Sequence, residues 1–298
     1  MKSRGSTRVV IAIVVSLILW SSAFAAIRVG LKGFGPGQLA LLRFSIASIA
    51  LLIYSLVTRQ PLPRARDLPM MFLLGFLGFF VYHVSLNAGE VVVPAGSASF
   101  IISSVPVFST LMAVVFLKER LTFLGWIGVF ISFCGVALTS LGSGTGFKFE
   151  PAALFIVCAA IGESIYFVLQ KPYYSRFSGL QLTTYTIWTG ALCMLVFLPG
   201  LVRQMHAASL NATLAVVYLG IFPAAIGYVL WAYALSKANV SRVTSSLNLQ
   251  PVLSLAIALL WLGEMPTTVA LAGGAITIAG VIVLNTLGKG GTGGKDVR

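Results

Sequence analysis

Two charged side chains stand inside long apolar runs of this sequence, where each would lie at membrane depth. Glu163 is near the middle of the run 151–170, and Arg43 is within the run 33–58. A carboxylate or guanidinium at the centre of a membrane helix costs on the order of 2.5–3.5 kcal/mol on insertion scales. A polar cavity or a partner inside a helix bundle offsets that cost. Glu163 therefore points to a pathway through the membrane.

Arg43 has two interpretations. In the first, it pairs with Glu163 and both residues are structural. In the second, it binds the carboxylate of a substrate and leaves Glu163 free for an amine or a proton. The sequence does not choose between them, and we assign Arg43 a structural role.

Polar side chains recur at helical spacing on two of the predicted membrane helices. The stripes are Glu163, Tyr166 and Gln170 at i, i+3, i+7, and His83, Asn87 and Glu90 at i, i+4, i+7. Residues at such spacings share one helix face. The first stripe has no reason to face lipid, so we predict that it lines a cavity. For His83, lining the cavity and packing within the bundle remain equal alternatives.

Aromatic and hydrogen-bonding side chains on other predicted helices can complete a pocket. Aromatic walls suit amphipathic metabolites and give cation–π contacts to an amine. The alternative for a tryptophan is the interfacial aromatic belt, which fits Trp126 and Trp261 at helix ends but fits Trp20 at mid-depth poorly. The predicted substrate-binding residues are Trp20, Ser21, Tyr82, His83, Asn87, Glu163, Tyr166, Tyr228, Trp231 and Asn248.

The composition indicates that these residues lie on membrane helices. The chain is 58% hydrophobic and 9% charged, whereas a soluble domain has roughly 25% charged residues. Ten apolar runs are near or above the ~18 residues that indicate a spanning helix. They are 9–27, 33–58, 68–89, 91–117, 121–147, 151–170, 177–202, 204–236, 243–263 and 265–288. The predicted fold class is an all-α integral membrane protein with ten transmembrane helices.

The net charge of +13 could attract nucleic acid, but the distribution of basic residues argues for membrane orientation instead. With a cytoplasmic N-terminus and ten crossings, the inner side holds Lys2, Arg4, Arg8, Arg59, Arg64, Arg66, Lys118, Arg120, Lys171, Arg176, Lys237, Arg242, Lys289, Lys295 and Arg298. The outer side holds only Arg28, Lys32, Lys148 and Arg203. This asymmetry follows the positive-inside rule and predicts that both termini are cytoplasmic. A cleaved signal peptide ending near residues 23–25 is the alternative, and it would leave nine helices.

The sequence consists of two halves with one pattern. A shift of 145 aligns Pro106 with Pro251, Glu119 with Glu264, Gly128 with Gly273 and Gly135 with Gly280, and a shift of 143 aligns Ser21 with Ser164, Phe24 with Phe167 and Gln38 with Gln181. Because five helices per half is an odd number, the second half enters the membrane from the opposite side. We predict two inverted five-helix repeats, 9–142 and 150–287, with cytoplasmic tails 1–8 and 288–298 and a substrate site at the repeat interface.

Matched prolines and glycines in the two halves are predicted to be structural. A proline near the centre of helix 4 or 9 removes an N–H, frees a carbonyl and bends the helix, although membrane helices tolerate proline in general. Glycines seven residues apart share a face and permit close packing of helices 5 and 10. With Arg43, the structural residues are Pro106, Pro251, Gly128, Gly135, Gly273 and Gly280.

Several motifs resemble those of a known family. They are Trp20-Ser21-Ser22-Ala23-Phe24, Leu42-Arg43-Phe44, and Pro106…Phe116-Leu117-Lys118-Glu119-Arg120-Leu121-Thr122 with its echo Pro251…Trp261-Leu262-Gly263-Glu264. The chain resembles the EamA-type branch of the drug/metabolite transporter superfamily, and is most similar to its amino-acid exporters, including those for aromatic amino acids. The resemblance implies ten helices, two inverted repeats, cytoplasmic termini and metabolite export. In related small multidrug exporters a helix-1 glutamate couples protons, and Glu163 takes that place in the second half, which makes proton coupling a hypothesis.

Sequence signatures of catalysis are missing. The chain has no Gly-x-Ser-x-Gly, no His-Glu-x-x-His and no phosphate-binding Gly-Lys-Ser/Thr loop, and its two histidines lie on different predicted helices. We therefore predict no enzyme activity, no cofactor and no metal, and a gradient as the driving force.

The expected function is export of aromatic or apolar amino acids, or similar small amphipathic metabolites, by alternating access from a bacterial-type inner membrane. The alternatives are a proton-coupled exporter of other metabolites or cationic drugs, an intramembrane enzyme, and a receptor or scaffold. Expected partners are a small-molecule substrate and lipid, not nucleic acid. The oligomeric state stays open, and a monomer is compatible with this interpretation.

Overall fold

The computed structural model describes residues 2–117, 121–142, 150–237 and 246–287, and every element in these ranges is helical. Nine helices are long and apolar enough to cross a membrane, and a tenth apolar helix is shorter. They are α1 (Thr7–Gly30), α2 (Pro36–Val57), α3 (Ala65–Glu90), α4 (Ala95–Met112), α5 (Phe123–Leu141), α6 (Ala153–Ser175), α7 (Gly179–Ala207), α8 (Leu210–Leu235), α9 (Ser246–Leu262) and α10 (Thr268–Leu287). The predicted all-α class is confirmed, with α9 as the short member.

Helix boundaries follow local signals in the sequence. α7 begins with a capping box, in which the Ser178 hydroxyl accepts from Gln181 N–H and the Gln181 side chain accepts from Ser178 N–H. α5 begins after Thr122, whose hydroxyl accepts from Gly125 N–H. α9 ends at Gly263, which has φ of 67° in the left-handed region that glycine adopts without strain.

Helices α5 and α10 pack backbone to backbone. A methyl group added at Gly128 would lie 2.9 Å from the Gly280 carbonyl oxygen, and one added at Gly135 would lie 2.7 Å from the Gly273 carbonyl oxygen. Because the earlier residue of α5 faces the later residue of α10, the two helices run antiparallel. The four glycines predicted to be structural all lie in this crossing, where no side chain would fit.

Two membrane helices contain π-helical segments that the sequence did not predict. They are Phe76–Val81 in α3 and Phe222–Ile226 in α8. A shift of 145 places the first segment over the second, so the same irregularity occurs at the same position in both halves. π-Helical segments are rare and frequently mark functional sites.

The matched prolines stand where α4 and α9 are interrupted. α4 is interrupted after its first segment, Ala95–Ile102, and resumes at Val105 in a helical segment that continues past the α4 span to Leu117; in α9 a 3₁₀ turn over Ser246–Leu249 precedes the α-helical part Gln250–Leu262. Each proline is the second residue of its new segment, where a missing N–H costs little. The sequence predicted a bent but continuous helix at each proline, whereas the structure shows that the α-helix is interrupted just before it.

A serine braces each of these interruptions. Ser21 Oγ on α1 donates to the Gln250 carbonyl at 3.3 Å, and Ser164 Oγ on α6 lies 3.1 Å from the Val105 carbonyl. In both halves the accepting residue is the one immediately before the proline. Ser164 Oγ is also 2.6 Å from the carbonyl of Ala160, so its proton is shared between two acceptors. These bonds join α1 to α9 and α6 to α4.

Candidate substrate-binding site

A cavity of about 1570 Å³ lies inside the helix bundle. Its volume exceeds the 300–1000 Å³ of a typical ligand pocket, so it has room for a small metabolite and water. Eight of the ten predicted substrate-binding residues line it: Trp20, Tyr82, His83, Glu163, Tyr166, Tyr228, Trp231 and Asn248. The α6 stripe is complete, because Gln170 lines the cavity together with Glu163 and Tyr166.

Ser21 and Asn87 do not line the cavity, and here the structure departs from the prediction. Both are fully buried; Ser21 braces the start of α9, and Asn87 Nδ2 donates to the Pro36 carbonyl at 2.9 Å. On α3 the cavity face is centred between Tyr82 and Leu86. Asn87 lies one step further around the helix, where it meets the beginning of α2.

The wall formed by α1 and α8 is aromatic. The Trp20 ring centroid is 5.2 Å from that of Tyr228 and 5.0 Å from that of Trp231, and the rings are tilted. Trp20 Nε1 donates to the Pro223 carbonyl at 3.0 Å, within the π-helical segment of α8. The irregular backbone of α8 thus accepts a hydrogen bond from the indole ring, which lines the cavity.

His83 packs against other rings in the bundle and also lines the cavity. Its ring centroid lies 4.5 Å from Phe44 and 4.5 Å from Tyr82, and the residue is only 4% exposed. Neither ring nitrogen has a hydrogen-bond partner among the described residues. Phe79 continues this cluster, with its centroid 5.7 Å from Tyr166. The two alternatives for His83 therefore both hold in part.

Arg43 and Glu163 line the same cavity without forming an ion pair. Arg43 is 4% exposed, and its Nε has no hydrogen-bond partner within the described ranges. Glu163 is half-buried on α6. The structure therefore does not show the pairing that would have made both residues structural, and it places Arg43 on the cavity wall rather than in a closed pair.

Arg28 lies at the end of the bundle where α1 ends, and it interacts there with residues from several other segments. Arg28 Nε and Nη2 each lie 3.0 Å from Glu264 Oε1, and Nη1 donates to the carbonyls of Glu90 at 2.6 Å and Val91 at 2.9 Å. Glu264 Oε2 accepts from Ala95 N–H at 3.2 Å, at the beginning of α4. One guanidinium and one carboxylate thus connect the ends of α1 and α3, the start of α4 and the segment after α9.

The cavity extends toward the opposite end of the bundle. Its lining includes Tyr54, Tyr174 and Thr286, which lie near the C-terminal ends of α2, α6 and α10, whereas neither Arg28 nor Glu264 contributes to it. From the sequence, Arg28 was assigned to the outer side of the membrane, and Glu264 served only to align the two halves. The available signal was a cation and an acid, each at the end of an apolar run.

A bundle of apolar helices around a cavity with aromatic and charged walls defines a multi-pass membrane transporter. The chain belongs to the EamA-like transporter family, whose model matches residues 7–141 and, a second time, residues 150–286. The predicted family is therefore confirmed.

Relatives across nearly the whole chain are named as transporters. The chain is 46% identical over 263 residues to the uncharacterized transporter YdfC of Bacillus subtilis, covering 88% of this chain and 86% of that protein. It is 42% identical over 285 residues to a protein of Streptantibioticus cattleyicolor named "probable terminal-alkyne amino-acid exporter", covering 95% and 96%. The uncharacterized inner membrane transporter YedA of Escherichia coli K12 is 29% identical over 279 residues, covering 91% and 88%.

A solved crystal structure has the same fold. The two chains superpose with a TM-score of 0.64 at 21% sequence identity, covering 94% of this chain and 99% of the other. At that identity the likeness supports the fold alone.

Proposed function

We propose that this protein is a secondary transporter that exports amino acids or similar small amphipathic metabolites, with aromatic and apolar amino acids as the leading candidates. The observation that carries the proposal is the Glu163 carboxylate, which forms no ion pair with any described residue, in a cavity walled by Trp20, Tyr228 and Trp231. The relative named as an amino-acid exporter, at 42% identity over almost the full chain, supports the same substrate class.

The chemistry of the wall suits an amino acid. Glu163 can accept hydrogen bonds from an ammonium group, and charge-assisted hydrogen bonds of this kind are roughly twice as strong as neutral ones. Trp20 and Tyr228 offer ring faces to an apolar or aromatic side chain, and a cation close to those faces gains cation–π attraction. Asn248, half-buried on α9, adds an amide that can orient a polar group of the ligand.

The transport mechanism that we propose is alternating access between two inverted repeats. Support comes from features that recur in both halves: the π-helical segments, the prolines at interrupted helices, and the serine braces of Ser21 and Ser164. The antiparallel crossing of α5 and α10 agrees with opposite orientations of the halves.

The orientation that we propose places both termini in the cytoplasm of a bacterial-type cell, since basic residues concentrate on that side. In this orientation the Arg28–Glu264 cluster closes the outer end, and the cavity reaches toward the inner end, where a compound to be exported would enter. The inner membrane is the expected location, as it is in the name of YedA.

A second candidate is proton-coupled export of cationic compounds, which Glu163 also favours because a carboxylate on the cavity wall can bind either a cation or a proton. The two candidates differ in their substrates. Purified protein in proteoliposomes should show saturable counterflow of labelled L-phenylalanine and L-leucine. It should transport polar amino acids more slowly. Saturable flux of cationic dyes without any amino-acid flux would support the second candidate instead.

A further inference from the structure

We propose that Arg43 binds the carboxylate of the transported compound and so makes the cavity selective for amino acids over their amide and amine analogues. This inference rests on the proposed function, and it assigns Arg43 to the substrate-binding set rather than to the structural one.

The first support is the position of Arg43. It lies on α2 with 4% of its surface exposed, and it lines the same cavity as Glu163. Its guanidinium carbon is 5.2 Å from the centroid of the Phe44 ring, so an apolar side chain occupies one side of the charge. A guanidinium presents five N–H donors in a rigid fork that matches a carboxylate.

The second support is that the guanidinium has no partner among the described residues. No hydrogen bond or ion pair joins Arg43 to another residue in the part of the chain that the structure describes, and its Nε is buried without a partner. Burying a charge at membrane depth is expensive, and arginines there usually pair with an acid or with backbone carbonyls. An anionic group of the substrate would supply the missing acceptors.

Glu90 is a buried acid at the end of α3. It is fully buried, and neither of its oxygens has a hydrogen-bond partner among the described residues. Within those ranges no hydrogen bond or ion pair joins it to Arg43, so Glu90 does not occupy the donors of the guanidinium.

The third support is the shared setting of the two charges. Tyr82 and Tyr228 line the cavity together with Arg43 and Glu163. A zwitterion needs a cationic and an anionic group around one pocket. Arg43 would receive the carboxylate, Glu163 the ammonium group, and the aromatic wall the side chain.

The test compares three probes that differ only at the carboxylate: L-phenylalanine, L-phenylalanine amide and phenethylamine. Binding to purified protein and counterflow in proteoliposomes are measured for the wild type, Arg43→Gln, Arg43→Lys and the control Arg203→Gln, whose arginine is exposed on α7. We expect Arg43→Gln to weaken L-phenylalanine binding by about 10- to 100-fold, as for a lost charged hydrogen bond, and to change amide and amine binding by less than about threefold. Arg43→Lys should retain part of the preference.

Each result decides between the hypotheses. Equal loss of all three probes in folded Arg43→Gln protein would mean that Arg43 is structural. If Arg43→Gln does not fold, the wild-type protein still answers, because equal affinity for acid and amide would refute carboxylate recognition while leaving export intact. No binding or flux of any probe, or of labelled L-leucine, would refute the proposed function itself.

Discussion

Arg28 and Glu264, which are 236 residues apart in the sequence, form an ion pair at 3.0 Å that joins four segments at one end of the bundle. Both side chains are 24% exposed, so their Coulomb attraction alone is worth at most about 1 kcal/mol. Three hydrogen bonds accompany the ion pair, two from Arg28 to backbone carbonyls and one from Ala95 N–H to Glu264. In an alternating-access cycle this cluster has to separate when that end opens.

We therefore expect Glu264→Gln to favour the outward-open state. The substitution removes the ion pair and should shift the equilibrium by about 1 kcal/mol, or about fivefold. The measurement is the labelling rate of Asn248→Cys, a cavity position, by a membrane-impermeant maleimide added outside intact cells, with the native cysteines replaced.

The matched control is Asp67→Asn. Asp67 pairs with Arg176 at 2.8 Å and joins the start of α3 to the segment after α6, toward the other end of the bundle. Its loss should not raise labelling from outside. Equal labelling rates in Glu264→Gln and the parent protein would show that the Arg28 cluster does not control access.

Glu163→Gln should lower amino-acid flux by about tenfold or more, because the neutral amide cannot supply a charged hydrogen bond to an ammonium group. Initial rates of L-phenylalanine counterflow, measured over a range of pH, test this. The control is Glu150→Gln, outside the cavity, whose side chain accepts from Ala152 N–H at 3.2 Å and from no other described residue. Wild-type flux with an unchanged pH profile in Glu163→Gln would return this residue to a structural role.

Ser21→Ala should destabilise the protein modestly. It removes the bond to the Gln250 carbonyl, and interhelical hydrogen bonds in membranes average about 0.6 kcal/mol with a maximum of about 1.7 kcal/mol. Reversible unfolding in mixed micelles measures the change in the free energy of unfolding. Ser175→Ala is the control, because that exposed hydroxyl bonds only locally, to the Pro172 carbonyl at 2.8 Å. A larger loss in the control would contradict the assignment of Ser21 as a brace.

Gly135→Ala should separate α5 from α10. The added methyl group would lie 2.4 Å from the backbone nitrogen of Thr277, and backbone cannot move aside as a flexible side chain can. We expect a loss of about 1–3 kcal/mol in the free energy of unfolding, as for overpacked cores. Gly179→Ala is the matched control, since its nearest neighbour would be at 3.7 Å. Equal stability of the two variants would show that the crossing tolerates side chains.

Helical periodicity was sufficient to predict the α6 side of the cavity. Glu163, Tyr166 and Gln170 line it together because α6 is regular over these residues and has one polar face. On α3 the same reasoning placed Asn87 in the cavity, but which part of a polar face meets the cavity depends on how the helix is rotated. Packing against α2 sets that rotation, and no local pattern reports it.

Other features depend on contacts that a single sequence does not reveal. The Arg28–Glu264 pair joins residues 236 positions apart, and the π-helical segments have no composition that distinguishes them from ordinary apolar helix. Ser21 was predicted to bind the substrate because it is a hydrogen-bonding side chain at mid-depth of the first helix. Its acceptor is the Gln250 carbonyl, which becomes available only because α9 starts anew beside Pro251.

Ser132 and Thr277 meet at the middle of the α5–α10 crossing, where Ser132 Oγ donates to the Thr277 carbonyl at 3.1 Å. They are 145 residues apart, which is also the spacing that superimposes the two halves, so each is the counterpart of the other. In two unlinked five-helix chains, such a position would touch its own copy, as residues on the symmetry axis of a homodimer do. Under the proposed inverted repeats, this crossing would correspond to a subunit interface within one polypeptide, and a bulky residue here would disturb the packing of both halves.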